Sequence, residues 1–196
     1  MKIIGLTGGS GTGKGTAAAF LRERGAGWVD ADAVYRGLCA QNRVMLHALE
    51  AAFPGVLDEA GALDRPALAK IVFSDLEKLK TLNEITFPYI RAASLTEIEA
   101  QKSAPFVLYD APTLFETGAD AFCAKTVGVL AGRETRIARV MARDGLSPEN
   151  ARARVLAQPD DAFYRARCDY ILENNGEPAA LRAACGALFE KLIKGD

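Results

Sequence analysis

Residue types that hold metals or build disulfide frameworks are scarce in this 196-residue chain. It has a single histidine, His47, and its four cysteines, Cys39, Cys123, Cys168 and Cys185, stand far apart with no Cys-x-x-Cys pair. That spacing excludes a structural zinc site and gives no sign of a disulfide scaffold, so reduced thiols in a reducing cytoplasm are expected. A dominant charge is missing too: 24 Lys and Arg stand against 25 Asp and Glu, for a net charge of −1. No broad basic field exists to hold nucleic acid or an anionic membrane, and any phosphate-bearing ligand must be met by local cations. Long apolar runs are absent as well, which excludes a membrane-spanning helix. The opening Met1-Lys2-Ile3-Ile4-Gly5-Leu6-Thr7 breaks into glycines too soon to be the apolar stretch of a signal peptide. What is present, 49% hydrophobic and 25% charged residues, suits one compact domain of residues 1–196 with room for a small insertion.

The apolar patterning predicts alternating strands and helices. Lys2 to Thr7 reads as a buried strand, and a helix is expected from Lys14 to Arg24, closed by Gly25. A second strand from Trp28 is expected to end at Asp30-Ala31-Asp32. Ala33 to Ser103 reads as several helices: Asp64-Arg65-Pro66 resembles a helix start, Ser74-Asp75-Leu76-Glu77 a capping box, and Pro88 a helix boundary. Pro105 to Tyr109 runs as a strand into Asp110, and Thr126 to Leu130 is another. An arginine-rich helical hairpin from Arg133 to Arg167 turns at Asp144-Gly145, and a last strand over Asp169 to Leu172 precedes a C-terminal helix. The predicted class is α/β, a parallel sheet of about five strands with helices on both faces.

The most informative segment is Gly8-Gly9-Ser10-Gly11-Thr12-Gly13-Lys14-Gly15-Thr16, between a predicted strand and a predicted helix. Glycines let the backbone wrap a phosphate chain, the helix start aims unpaired amides at it, and Lys14 adds a point charge at the β and γ phosphates. Gly11, Thr12, Gly13, Lys14, Gly15 and Thr16 are therefore the expected ATP and phosphate ligands. The strict pattern has Ser or Thr directly after the lysine, whereas here Gly15 stands there and Thr16 follows. Gly-Lys-Gly-Thr resembles the loop of adenylate kinases, which leave magnesium held mostly by water and phosphate oxygens, so Thr16 is the candidate magnesium ligand, directly or through water.

Asp30 and Asp32, two residues apart, are expected to face the carboxyl edge of the sheet, where open α/β sheets bind ligands; the alternative is that Asp32 caps the next helix. Asp110, at the end of a strand, is placed to reach a hydrated magnesium or a substrate hydroxyl, or else to serve a turn. Arg136, Arg139 and Arg143 fall on one helical face, the pattern of guanidinium groups on a mobile lid, although most arginines of this segment read equally as a solvated helix. His47 reads as a surface or packing residue.

Matches along almost the whole chain then resemble the dephospho-coenzyme A kinases. They include Gly5-Leu6-Thr7-Gly8-Gly9, Val29-Asp30-Ala31-Asp32, Gly61-Ala62-Leu63-Asp64-Arg65, Val72-Phe73-Ser74-Asp75, Leu82-Asn83-Glu84-Ile85 and Pro88-Tyr89-Ile90-Arg91. Further matches are Asp110-Ala111-Pro112, Leu114-Phe115-Glu116-Thr117-Gly118, Arg143-Asp144-Gly145, Gln158, Asp169-Tyr170-Ile171 and Asn174. The resemblance implies a P-loop kinase core (residues 1–35, 104–132 and 168–196), a helical acceptor-binding insertion (36–103) and an arginine-bearing lid (133–167). It implies that Asp32 activates the acceptor, Lys14 clamps phosphate, Arg139 and Arg143 reach ATP from the lid, and Thr7, Asp32 and Asp110 serve the acceptor side. The chain departs from the family pattern at Phe87-Pro88, where His-Pro is usual, and at Gly15, where Ser is usual.

The expected activity is transfer of the γ-phosphoryl group of MgATP to the 3′-hydroxyl of dephospho-coenzyme A, with no nucleic-acid or membrane partner. A nucleoside monophosphate kinase is the alternative raised by Gly-Lys-Gly-Thr. A GTP-dependent binding module is disfavoured by the lack of an Asn-Lys-x-Asp motif.

Overall fold

The structure is a computed structural model that describes residues 1–72 and 74–194. Phe73, within the quoted Val72-Phe73-Ser74-Asp75 match, lies outside the described residues. The chain divides into two compact units, residues 1–29 with 98–196, and residues 30–97.

The larger unit is built on a five-stranded sheet in the order β2-β3-β1-β4-β5, with β1 Ile3–Thr7, β2 Gly27–Asp30, β3 Val107–Asp110, β4 Lys125–Leu130 and β5 Tyr170–Glu173. β1 pairs in parallel with β3 on one side and β4 on the other, and β4 pairs in parallel with β5. β3 is buried at all four positions and β4 at all but its first, the continuous apolar reading of strands covered on both faces. α1 (Lys14–Arg22) and α9 (Pro178–Lys194) bury Ala17, Ala18, Leu21, Leu181, Leu188 and Leu192 against Ile4, Leu6, Phe106, Leu108 and Val129. After β3 the chain crosses to the other side of β1, so the strand order reverses around β1, the point at which such sheets open a crevice at their carboxyl ends. The loop after β1 and the end of β3 meet there, because Leu6 is in register with Asp110.

α6 (Arg133–Asp144), α7 (Pro148–Leu156) and α8 (Asp161–Arg165) occupy the predicted hairpin. Gly145 ends α6 in the left-handed conformation, Ser147 caps α7, and Ile137, Val140, Ala151 and Val155 form a small core of their own.

The 30–97 unit holds α2 (Ala31–Gln41), α3 (Arg43–Ala52), α4 (Arg65–Val72) and most of α5 (Leu76–Glu99). Its core is Cys39, Met45, Leu46, Leu49, Phe53, Val56, Leu68 and Val72. Asp64 caps α4, accepting from Ala67 N at 3.0 Å with Pro66 in the first turn, as expected. Three local expectations are corrected. β2 ends at Asp30, and Ala31 and Asp32 already belong to α2, because Asp30 caps that helix. α5 is capped by Asp75, whose carboxylate accepts from Glu77 N and Lys78 N, while the Ser74 hydroxyl turns back to the carbonyls of Lys70 and Ile71. Pro88 lies inside the 24-residue α5 and ends nothing. Leu82 and Ile85 before it and Tyr89 after it pack on the same core, and Glu84, whose carbonyl lacks its usual donor, is exposed.

Candidate active site

The phosphate-type loop leaves β1 at Thr7 and enters α1 at Lys14. Three of its glycines are required twice over: at Gly8 (φ 149°) a Cβ would lie 2.5 Å from the Val129 carbonyl oxygen. Gly11 (φ 79°) has no room for a Cβ beside the Arg136 backbone, and Gly13 (φ 90°) faces the Asn174 amide, which donates to Thr12 O at 2.8 Å. Thr12, itself buried, donates through its hydroxyl to Gly9 O at 2.9 Å and holds the loop's inner turn. Gly13 offers no side-chain cap to α1. The first amides of that helix thus lack a side-chain acceptor, which is how a helix start receives an anion.

Lys14 Nζ donates to Asp110 Oδ1, and Trp28 Nε1 donates to Asp110 Oδ2 at 3.3 Å. Asp110 is 4% exposed. A carboxylate this buried needs a charged partner, and Lys14 is that partner. Thr7 is buried and donates to Pro112 O at 3.1 Å, tying β1 to the turn after β3. Gly15 and Thr16 are exposed on the first turn of α1, and a Cβ added at Gly15 meets nothing within 4 Å.

The arginines separate into three environments. Arg139 donates to Gly11 O at 3.3 Å. Arg143 forks the Asp144 carboxylate at 2.7 and 2.8 Å, and Arg154 joins it at 2.8 Å. The Arg143 hydrogen bond first, with the nearby guanidinium charges, holds the Asp144 carboxyl below the usual range. Arg136, which lay on the expected lid face, is only 5% exposed and donates to Ser10 O at 3.0 Å and Gln158 Oε1 at 2.8 Å. Burial lowers its pKa.

Asp32 belongs to the 30–97 unit. It is exposed on the first turn of α2, and its backbone N–H donates to Asp30 Oδ1 at 2.9 Å. Asp30 also accepts from Ala33 N at 3.2 Å. The cap of α2 is therefore Asp30. His47 is exposed on α3. Among the described residues no cluster of three His, Cys, Asp or Glu side chains is placed to hold a metal. No helix among them is long and apolar enough to cross a membrane.

A family model described as dephospho-CoA kinase matches residues 2–180. The chain belongs to the dephospho-CoA kinase family. It is 41% identical over 198 residues to the dephospho-CoA kinase of Anaeromyxobacter dehalogenans, covering 100% of this chain and 94% of that protein. A solved structure of the Campylobacter jejuni dephospho-CoA kinase superposes with a TM-score of 0.71 at 28% identity, covering 100% of this chain and 99% of that one. A crystal structure from Thermus thermophilus gives a TM-score of 0.83 at 40% identity, with 97% of each chain covered. The family likeness accounts for the P-loop kinase architecture, with its glycine loop after β1.

Sequence reasoning missed the tethering roles of Arg136, Gln158 and Asn174, which hold the loop, and of Trp28, which holds Asp110. Gln158 and Asn174 had appeared only as matches to the family pattern. A polar side chain's partner far away in sequence leaves no periodic signal.

Proposed function

We propose that this chain is a dephospho-coenzyme A kinase, moving the γ-phosphoryl group of ATP to the 3′-hydroxyl of dephospho-coenzyme A and releasing coenzyme A and ADP. The observation that carries the reading is the loop from Gly8 to Thr16, with open α1 amides and Lys14 held by Asp110, in a chain of this family. The loop amides take the triphosphate, and Lys14 exchanges its Asp110 contact for phosphate oxygens, where it offsets charge developing during transfer. Asp32 orients the acceptor hydroxyl and takes its proton, a role supported by its place in the Val29-Asp30-Ala31-Asp32 match and its exposure on the first turn of α2. Arg139 and Arg143 contact the nucleotide when the 133–167 segment closes as a lid, while Thr7 shapes the turn that leads from Asp110 towards the acceptor side.

The donor set fits magnesium, which keeps several waters and leans on substrate phosphates rather than on a protein cage. Thr16 and, through water, Asp110 are the residues that would hold it, and when bound with ATP it supplies charge neutralisation at the phosphate oxygens. A cytoplasmic location and small-molecule partners alone complete the reading. The test is ADP release by the purified protein with dephospho-coenzyme A, AMP or CMP as acceptor. Turnover with dephospho-coenzyme A supports the reading, and turnover only with a monophosphate overturns it.

A further inference from the structure

The apex of the phosphate loop is gripped from behind by two side chains that the proposed chemistry does not use. Gln158 Oε1 accepts from Ser10 N at 2.7 Å, and Gln158 Nε2 donates to Ser10 Oγ at 3.2 Å. Arg136 Nε donates to Ser10 O at 3.0 Å, and its Nη2 donates to the same Gln158 oxygen at 2.8 Å. Ser10 is thus held at its N–H, its carbonyl and its hydroxyl by a pair 22 residues apart in sequence, one on α6 and the other just past α7. Gly9 completes the fit: a Cβ there would run into the Arg136 guanidinium and lie 2.9 Å from Gln158 Oε1.

The guanidinium is buried, yet among the described residues no carboxylate forms an ion pair with it. A buried cation is ordinarily paired, because its charge is costly to desolvate. Its hydrogen bonds go to a loop carbonyl and an amide oxygen, with the Asp161 carboxylate acting on it from beyond ion-pair distance, beside a loop built to receive an anion. A bound polyphosphate would offset the charge that Asp161 meets only at a distance.

We propose that Arg136 and Gln158 are positioning residues for the nucleotide phosphates: they preset the apex of the loop and place a buried positive charge behind it, joining the α6–α7 arm to the phosphate site. This rests on ATP binding at that loop. Charge-assisted hydrogen bonds of this kind are about twice as strong as neutral ones, so losing the guanidinium should be read mainly in nucleotide affinity. The acceptor should be indifferent to it.

The experiment combines calorimetric ATP binding, thermal unfolding and steady-state kinetics on the full chain, wild type and Arg136→Met, Arg136→Lys, Gln158→Ala and the Arg136→Met/Gln158→Ala pair. Arg136→Met should weaken ATP binding and raise the ATP KM roughly tenfold or more, with the KM for dephospho-coenzyme A within about twofold. Arg136→Lys, which keeps the charge but not the fork, should recover part of the loss. Gln158→Ala, at a less buried site, should show the same selective rise and keeps the test open if Arg136→Met folds poorly. Because both side chains act on Ser10, the double variant should lose less than the product of the single losses. A fall in melting temperature with ATP affinity unchanged in the single variants, or losses that multiply, would show the clamp to be merely structural and overturn the proposal. Failure of the wild type itself to bind ATP would instead overturn the reading of the loop and the clamp with it.

Discussion

Replacing Asp110 by Asn tests whether the end of β3 and the start of α1 are held together by charge. Asp110 serves two donors at once, Lys14 Nζ on one oxygen and Trp28 Nε1 on the other. An asparagine keeps only one acceptor oxygen, so its amide must face either the ammonium or the indole N–H, donor against donor. Breaking a fully buried ion pair costs about 3–5 kcal/mol. The cost here is smaller, because the Lys14 side chain keeps 18% of its exposure and the asparagine oxygen still accepts one bond, so about 2 kcal/mol is expected. For a chain of this size each kcal/mol moves the midpoint by about 2–4 °C, giving a fall of roughly 4–8 °C in a nucleotide-free thermal melt. Saturating ATP should narrow the gap, since phosphate then takes over Lys14 and the wild type must give up the contact that the variant already lacks. Equal melting of the two proteins without nucleotide, or a gap that ATP leaves unchanged, would refute this account of the pair.

Lys14→Ala should keep the circular dichroism of the wild type, melt lower because Asp110 loses its ionic partner, and lose at least about 10²-fold in kcat; turnover at the wild-type rate would remove Lys14 from the chemistry. Asp32→Asn should keep its melting temperature, since Asp30 caps α2, yet lose roughly 10²- to 10⁴-fold in turnover, with a loss at the low end if the loose transition state needs orientation more than proton transfer. Asp30→Asn is the control: asparagine caps a helix as well as aspartate, so both stability and turnover should hold, and a larger kinetic defect there than at Asp32 would mean the wrong carboxylate was assigned. Gly15→Ser fits without a clash and should stabilise α1 by about 0.5 kcal/mol through helix propensity, while lowering the magnesium concentration for half-maximal rate; an unchanged magnesium titration would show that a hydroxyl at this position does not reach the metal.

The strands and the loop were legible because their signals are local. Ile3 to Thr7, Val107 to Tyr109 and Thr126 to Leu130 are apolar runs bounded by turns, and the glycine loop sits between a strand and a helix. Helix ends were less legible where two capping residues adjoin: Ser74 and Asp75 both suit a cap, and it is the Asp75 carboxylate that accepts from Glu77 N and Lys78 N. Pro88 misled because its local cost is real, and only the packing of Ile85 and Tyr89 on one core shows why the helix continues through it. Within the site, glycines and Lys14 were readable from spacing. Arg136 was not, because one arginine of an arginine-rich helix looks solvated until Ser10, 126 residues earlier, is seen against it.

The most direct test of the assigned activity is to incubate the protein with ATP, magnesium and dephospho-coenzyme A and to identify the product by mass spectrometry and phosphorus NMR. The account predicts coenzyme A carrying one new phosphate on the 3′-hydroxyl, formed one for one with ADP. Dephospho-coenzyme A left unchanged by protein that binds ATP, or phosphate appearing at any other position, would contradict it.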